Sequence, residues 1–450
     1  MRVWRWVGFA IFLCVAGLVA AVLNGFLAPL VVHYTYTPTP QVAKGADVPA
    51  DEAPMIGLAL SGGGARAAVF AAAGMQALAN RGILPDVTHV SSVSGGGFAA
   101  SFLASQPLPD CAEQTTDAKR KTCFAPYFER MQEKMAHDYL WDTEKGQVRF
   151  LKRLFSPSHR IQSLQEALEQ KDYLRDKTFA SITDGRSYFF NAVSYDTGQR
   201  FVFSNQAVAD PSVDQPHGLP SGVRSLSFSD PSGARPTPKD LKLSLAVATS
   251  AAFPPYLGPT TIQRTATDKL LQQFWHLGDG GVFENTGVEM LREIVFAAPS
   301  PPPATIYVFN AGQRLDKELS SNTHDISIWS RQVTRLVDVI LEYAGGHREA
   351  LITELKEKSG VEIKEITFDY LAIGTLVAEN KVAGLEQWKE WSAWSDTCSW
   401  WQRWANDTPA ERLAAIPTAL RITPCNASLL EAAAEFLVNQ EFPTKPSEGQ

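Results

Sequence analysis

Two short stretches of the chain have residue types and spacings of interest for acyl-transfer chemistry. Ser94 lies in Ser92-Val93-Ser94-Gly95-Gly96, where small neighbours would let a serine hydroxyl stand exposed at the start of a helix and serve as a nucleophile. Asp279 is followed by Gly280 and Gly281, a pattern that taken alone also fits an ordinary Asp-Gly turn.

A third stretch, with Gly62, Gly63 and Gly64 in succession, offers backbone N–H groups that could form an oxyanion hole. The same glycines also fit the G-x-G-x-x-A pattern of dinucleotide-binding turns. That alternative requires an acidic residue at the end of the second strand, whereas Asp86 precedes that strand. Arg66 could hold the glycine turn through backbone carbonyls, which we favour, or contact an anionic head group.

The elements around these turns predict a parallel sheet. Met55–Leu60 is an apolar run followed by the glycine turn and an alanine-rich helix over 66–80, and Val87–Val93 is a β-branched run followed by the Ser94 turn and a second helix. Such a βαβα unit has parallel strands with a right-handed crossover. Both turns then lie at the same edge of the sheet, so the glycine N–H groups can face Ser94.

The remaining chain predicts further strands and a polar, helix-biased insertion at 107–177. An antiparallel pair is expected at Tyr188–Val193 and Phe201–Phe203, and a surface loop at 210–239. Further core strands are expected at Leu241–Ala248, Phe274–Leu277 and Thr305–Asn310. From residue 326 onward the chain should be mainly helical. Its tryptophans, at a spacing of three and four, fit a helix packed on the core, which we prefer, or a contact with lipid: Trp388, Trp391, Trp394, Trp400, Trp401 and Trp404.

The N-terminal region predicts a membrane anchor. Residues 7–32 carry no formal charge and are long enough to span a bilayer, with aromatic residues on both sides. Arg2 and Arg5 favour a cytoplasmic N-terminus, which places the rest of the chain on the exported side. The alternative is a cleaved signal peptide, since Val19 and Ala21 fit a cleavage site.

The cysteines beyond this segment suggest two disulfides in an exported protein. Their short separations favour Cys111 with Cys123 and Cys398 with Cys425. Four buried free thiols are the alternative, because a large domain does not need covalent links. No spacing resembles a zinc site.

Composition and charge exclude some classes of partner. The 450 residues are 45% hydrophobic and 20% charged, which is typical of a globular protein. Lys and Arg number 41 against 48 Asp and Glu, a net charge of -7, so no basic surplus is available to neutralise nucleic acid.

Taken in order, four stretches resemble the patatin-like phospholipase family: Ser61–Arg66, Ser92–Gly96, Ala248–Pro254 and Asp279–Gly281. The resemblance implies an α/β three-layer fold with a mainly parallel central sheet. It also implies a Ser-Asp dyad of Ser94 and Asp279, an oxyanion hole at Gly62, Gly63 and Gly64, and supporting roles for Arg66, Gly96, Gly280 and Gly281. No metal or organic cofactor is implied. The substrate would be lipid, reached at a membrane.

We therefore expect a membrane-tethered lipid acyl hydrolase acting on phospholipids or lysophospholipids. The expected organisation is an anchor at 1–34, a linker at 35–54, a catalytic domain at 55–325 and a helical region at 326–450. Acyl transfer by the same residues, or a catalytically silent interaction protein, are the alternative functions. His89, His137 and His276 are expected to be packing or hydrogen-bonding residues, because a dyad needs no histidine.

Overall fold

The computed structural model describes the helices, strands and connections that surround the predicted site. The described residues are 2–27, 32–37, 54–114, 116–145, 157–206, 225–226, 237–254, 256–264, 273–297, 303–312, 339, 349–357, 360–368, 395–404, 412–413 and 416–442. Most of the predicted loop at 210–239 and the tryptophans at 388, 391 and 394 lie outside these ranges.

One ten-stranded sheet forms the centre of the molecule. Its strands are β1 (Tyr34–Tyr36), β2 (Met55–Leu60), β3 (His89–Val93), β4 (Ser187–Ser194), β5 (Arg200–Ser204), β6 (Ser225–Leu226), β7 (Thr260–Arg264), β8 (Gln273–Asp279), β9 (Ala304–Asn310) and β10 (Val361–Thr367). The order is β1-β7-β8-β4-β3-β2-β9-β10, with β5 paired to β4 and β6 paired to β5. The five strands from β4 to β10 in this order are parallel, which confirms the mainly parallel sheet.

Helices cover both faces of this sheet. The helices of the described residues are α1 (Arg2–Leu27), α2 (Gly64–Asn80), α3 (Gly95–Ser105), α4 (Asp117–Met135), α5 (Tyr139–Lys145), α6 (Pro157–Leu168), α7 (Leu243–Ser250), α8 (Val288–Ala297), α9 (Trp400–Trp404) and α10 (Pro424–Glu441), with a further helical stretch at 349–357. Because β-strand side chains alternate, Leu58 and Leu60 pack under α2 while Met55 and Ala59 pack on the opposite face with α8. The result is a three-layer α/β fold.

Several elements differ from the prediction, among them the short strand β6 within the surface loop predicted at 210–239. The apolar segment predicted as a strand at Leu241–Ala248 forms α7, whose residues are all buried, so it has no polar face that would mark a helical period. Strand β7 was not predicted. Neither was β10, which lies in the region expected to be helical and adds to the sheet beside β9.

The N-terminal segment is helical but its predicted role is not supported. Within the ranges given above, no helix combines the length and the apolar character needed to cross a bilayer. The membrane-spanning anchor predicted at 1–34 is therefore without structural support. Strand β1 follows α1 and pairs with β7, so residues 34–36 belong to the sheet at the point where the linker was expected to begin, at residue 35.

Both predicted disulfides are present. Cys111 is bonded to Cys123, with α carbons 6.2 Å apart, and Cys398 to Cys425, with α carbons 4.5 Å apart. The second bond joins the segment before α9 to the first turn of α10. Trp400 and Trp401 in α9 stack on each other and are mostly exposed, so the prediction that these two pack in the core is wrong.

Candidate active site

Ser94 occupies a sharp turn between β3 and α3. Its backbone has φ 49° and ψ -120°, a sparsely populated combination for any residue other than glycine. Such a turn directs the side chain away from the strand and places it at the N-terminus of the following helix. The predicted serine elbow is therefore formed.

The two residues after Ser94 are glycines because the turn packs against another piece of backbone. A β carbon at Gly95 would lie 2.0 Å from the carbonyl oxygen of Gly64, and one at Gly96 would lie 2.6 Å from that of Leu60. Both distances are too short for any side chain. The absence of side chains at the elbow brings it into direct contact with the glycine turn that follows β2.

Ser94 and Asp279 lie in hydrogen-bond contact although 185 residues separate them. The Ser94 hydroxyl donates to Asp279 Oδ2 at 2.8 Å. Asp279 ends strand β8, which pairs with β4, and its other oxygen, Oδ1, accepts the N–H of Gly281 at 2.7 Å. The side chain is 1% exposed. The serine hydroxyl therefore lies beside a fixed, nearly water-free carboxylate.

Burial changes the acidity of this carboxyl group. Desolvation raises the pKa of Asp279 from its ordinary value of 3.8 to about 7, against the lowering effect of the hydrogen bonds from Gly281 and Ser94. A carboxylate whose pKa lies near neutrality accepts a proton far more readily than an exposed aspartate. Asp279 therefore has the acidity expected of a general base working near neutral pH.

The glycine turn supplies two N–H groups rather than the three predicted. The N–H of Gly62 donates to the carbonyl oxygen of Asn285 at 2.8 Å and is therefore occupied. The N–H groups of Gly63 and Gly64 have no hydrogen-bond partner among the described residues. Both glycines have positive φ, 138° and 61°, so the turn depends on residues without a side chain.

Arg66 holds this turn from inside the protein. Its side chain is 3% exposed, Nε donates to the carbonyl oxygen of Ala311 at 3.0 Å, and Nη1 donates to that of Ile416 at 2.8 Å. The N–H of Ala65 donates to Ala419 O at 2.7 Å. These contacts are the ones expected of a clamp on backbone carbonyls, and the C-terminal region provides part of what Arg66 binds.

Asn285 was not predicted to belong to the site. Besides accepting the Gly62 N–H, it places its side-chain oxygen Oδ1 where a β carbon on Gly62 or Gly281 would lie, 2.2 and 2.6 Å from those positions. It thus fills the space between the glycine turn and the Asp-Gly-Gly turn. No motif in the sequence marks it, because its role depends on two turns that are distant in sequence.

Tyr195 lies beside the Asp279 end of the site. A β carbon on Gly278 would lie 2.2 Å from the Tyr195 hydroxyl oxygen, so the ring covers the residue before Asp279. Burial and the nearby Asp279 carboxylate raise the pKa of the Tyr195 hydroxyl. The phenol therefore stays protonated and can only donate or accept a hydrogen bond there.

The three histidines considered above are engaged elsewhere. Each lies in hydrogen-bond contact with a different side chain: His276 with Asp196, His137 with Asp142, and His89 with Thr88. Among the described residues, none of the three hydrogen-bonds to Ser94 or Asp279. Within the part of the chain that the structure describes, the Ser94 hydroxyl contacts the Asp279 carboxylate directly, with no histidine between them.

Comparison with solved structures finds weak similarity to a human and a bacterial protein. Human GIVD cytosolic phospholipase A2 is 14% identical, with a TM-score of 0.35, over 66% of this chain and 46% of that one. VipD from Legionella pneumophila is 15% identical, with a TM-score of 0.26, over 64% of this chain and 56% of that one. The chain thus spans about half the length of either, and similarity at this level does not identify a function.

Sequence comparison is decisive for the family. No curated protein sequence matches the chain. The family model described as patatin-like phospholipase, however, matches residues 58–292, which is more than half of the 450 residues and contains the serine elbow, the glycine turn and the Asp-Gly-Gly turn. The chain therefore belongs to the patatin-like phospholipase family of lipid hydrolases.

Proposed function

We propose that the protein is a serine acyl hydrolase that releases fatty acids from phospholipids or lysophospholipids through a Ser94–Asp279 dyad. The observation that carries the proposal is the 2.8 Å hydrogen bond from the Ser94 hydroxyl to the buried Asp279 carboxylate. In that contact the hydroxyl proton already points at the group that would accept it. We assign this chemistry to residues 55–325, with the segment at 416–419 supporting the glycine turn.

In the first half of the reaction, Ser94 Oγ attacks the acyl carbonyl carbon while its proton passes to Asp279. The tetrahedral intermediate carries a negative oxygen, which the N–H groups of Gly63 and Gly64 would bind. When the C–O bond of the ester breaks, the leaving alcohol takes the proton from Asp279. An acyl-enzyme remains on Ser94.

In the second half, water takes the place of the alcohol. Asp279 accepts a proton from the water as its oxygen attacks the acyl-enzyme carbonyl, and the proton returns to Ser94 Oγ when the ester bond breaks. The products are the fatty acid and the free enzyme. A carboxylate with a pKa of about 7 suits both directions of this transfer, because it gains and loses a proton readily near neutral pH.

We also propose that the enzyme works at a membrane on the oxidising, exported side. Two disulfides support this compartment. Apolar side chains of α1, among them Trp6 at 72% exposure and Leu18 at 67%, support contact with lipid. If this is right, the full-length protein should sediment with membranes at high salt and leave them only with detergent. Recovery in the soluble fraction at low salt would contradict the membrane part of the proposal alone.

A panel of diacyl and lysophospholipids tests the reaction. The wild-type protein should release fatty acid, whereas Ser94→Ala and Asp279→Asn should not, and the double variant should be no worse than either single one because the two groups act as a unit. Transfer of the acyl group to an added lysolipid would indicate an acyltransferase. Absence of turnover by the folded wild-type protein on every lipid would indicate a silent interaction protein.

A further inference from the structure

One short segment holds the backbone of both members of the Ser94–Asp279 pair. The segment is Ser250–Ala252, where α7 ends. The N–H of Ser94 donates to Ser250 Oγ at 2.9 Å, and the N–H of Asp279 donates to the carbonyl oxygen of Ala252 at 3.1 Å. The backbones of Ser94 and Asp279, at the ends of β3 and β8, are therefore hydrogen-bonded to two residues that lie only two positions apart in the chain.

The Ser250 hydroxyl both accepts and donates a hydrogen bond. While it accepts from Ser94, it donates to the carbonyl oxygen of Asn191 in β4 at 2.6 Å. The side chain of Asn191 in turn donates to Ser92 O at 2.9 Å and to Ser91 Oγ at 3.0 Å. Ser250 and Asn191 thus connect the end of β3, where the elbow begins, to the neighbouring strand.

The elbow needs such support because of its backbone conformation. Ser94 has φ 49°, which the surrounding structure must maintain against relaxation into a more common conformation. The N–H of Ser94 donates to Ser250 Oγ, so a change in the backbone conformation of this turn would disturb that hydrogen bond. Both residues are buried, with Ser250 at 0% exposure. If the Ser250 hydroxyl were removed, water could not replace its hydrogen bond to the Ser94 N–H without a cost in free energy.

We infer that Ser250 is a positioning residue that keeps Ser94 in the elbow conformation from which its hydroxyl reaches Asp279. The inference rests on the proposed function, since it assigns a task within that reaction. Ser250 itself touches neither the Asp279 carboxylate nor the groups that would bind the oxyanion. It acts through the Ser94 backbone.

The adjacent residue offers a matched control. Thr249 lies in the same helix, is equally buried, and hydrogen-bonds through its hydroxyl to Leu245 O at 2.7 Å and to Thr260 Oγ1 at 2.8 Å. These contacts are with α7 and β7 and do not involve the elbow. Thr249→Val therefore removes a buried hydroxyl of the same kind without removing support from Ser94.

The experiment compares Ser250→Ala, Ser250→Thr and Thr249→Val in the full-length protein on a soluble short-chain ester. Ser250→Ala should lower kcat about 10- to 100-fold, with KM within about twofold of wild type, because a small misplacement of the nucleophile slows the chemical step. The rate at which a fluorophosphonate labels Ser94 should fall by the same factor. Ser250→Thr keeps the hydroxyl and should recover most of the activity, and Thr249→Val should keep wild-type kcat.

The pH profile gives a readout that a loss of stability would not move. If Ser94 drifts from Asp279, the carboxylate loses a hydrogen bond that lowers its pKa, so the acid limb of kcat/KM in Ser250→Ala should shift to higher pH. An unshifted limb together with wild-type kcat in Ser250→Ala would overturn the inference. So would an equal loss of kcat in Thr249→Val at a similar melting temperature.

The inference can still be tested if Ser250→Ala does not fold, and its failure can be told apart from failure of the proposed function. If Ser250→Ala does not fold, Ser250→Cys, which is nearly isosteric but a weaker hydrogen-bonding partner, should show the same loss of kcat, and wild-type kcat in it would overturn the inference. If the wild-type protein neither hydrolyses esters nor is labelled at Ser94, the proposed function fails. If it does both and Ser250→Ala equals it, only the positioning role fails.

Discussion

Replacing Asp279 with asparagine should inactivate the enzyme and at the same time stabilise the folded protein above neutral pH. The stabilisation follows from burial, which raises the pKa of this carboxyl from 3.8 to about 7. Each pKa unit corresponds to 1.36 kcal/mol, so holding the ionised group inside the folded protein costs at most about 4 kcal/mol. Asparagine carries no charge and removes this cost.

The sign and the pH range of the effect are fixed by the direction of the shift. The folded protein binds the Asp279 proton more tightly than the unfolded chain does, so the cost is absent below about pH 4 and complete above about pH 7. The asparagine can keep both hydrogen bonds, with its oxygen accepting from Gly281 and its amide donating to the Ser94 hydroxyl. The gain from removing the charge is therefore not offset by an unpaired group.

Urea unfolding of wild type and Asp279→Asn at pH 4 and pH 8.5 measures the effect. The free energies of unfolding should be similar at pH 4, and the variant should exceed wild type by about 3 to 4 kcal/mol at pH 8.5. Glu129→Gln, at an exposed position of α4, controls for the loss of one negative charge. A difference that does not change with pH, or a variant less stable than wild type at pH 8.5, would refute the reasoning about burial.

Three further predictions concern the reaction itself. For wild type, kcat/KM should rise with pH through about 7 as the Asp279 carboxyl loses its proton, measured on a neutral ester. Alanine at each of the three histidines discussed above should leave kcat within about threefold of wild type, whereas loss of a triad histidine costs several orders of magnitude; a thousand-fold loss in a folded variant would identify a histidine base. Arg66→Lys replaces two fixed guanidinium donors, those to Ala311 O and Ile416 O, with one flexible ammonium, and should lower kcat about tenfold with little change in KM. Wild-type kcat in that variant would mean that the glycine turn keeps its conformation without the arginine hydrogen bonds.

The elements nearest the chemistry were the most predictable from sequence. Strands β2 and β3 are short β-branched or apolar runs ended by glycine turns, and the helices after them follow at once, so pattern and connection rules together define the unit. The pairing of Ser94 with Asp279 could not be derived this way. It depends on β4 and β8 lying side by side, and only the family resemblance anticipated it.

The segments that were predicted wrongly show where pattern reasoning loses its signal. The residues of α7 are buried on all sides, and eight apolar or small residues read equally well as a buried strand. Strand β10 alternates only at its start, where Val361 and Ile363 share one face, while Ile366 lies on the other face, and the strand is far from the motifs. The contacts of Asn285 and Ser250 with the site join residues that are far apart in sequence, so no local sequence pattern predicts them.

The Gly62 result has the same origin. Three consecutive glycines predict three available N–H groups, yet the first of them donates to Asn285, which comes from the loop after Asp279. In this turn, one N–H group takes part in packing against Asn285 and, as far as the described residues go, two remain available to a ligand. The sequence indicates the turn but not which of its N–H groups are already hydrogen-bonded.

The central claim is that Ser94 is a nucleophile activated by Asp279, and labelling with a fluorophosphonate tests it most directly. The wild-type protein should acquire one adduct, located at Ser94 by peptide mass spectrometry, and Ser94→Ala should acquire none. Asp279→Asn should be labelled about 10² to 10⁴ times more slowly, because it has lost the group that accepts the hydroxyl proton. Labelling of another residue in its place, or wild-type labelling rates in Asp279→Asn, would contradict the account.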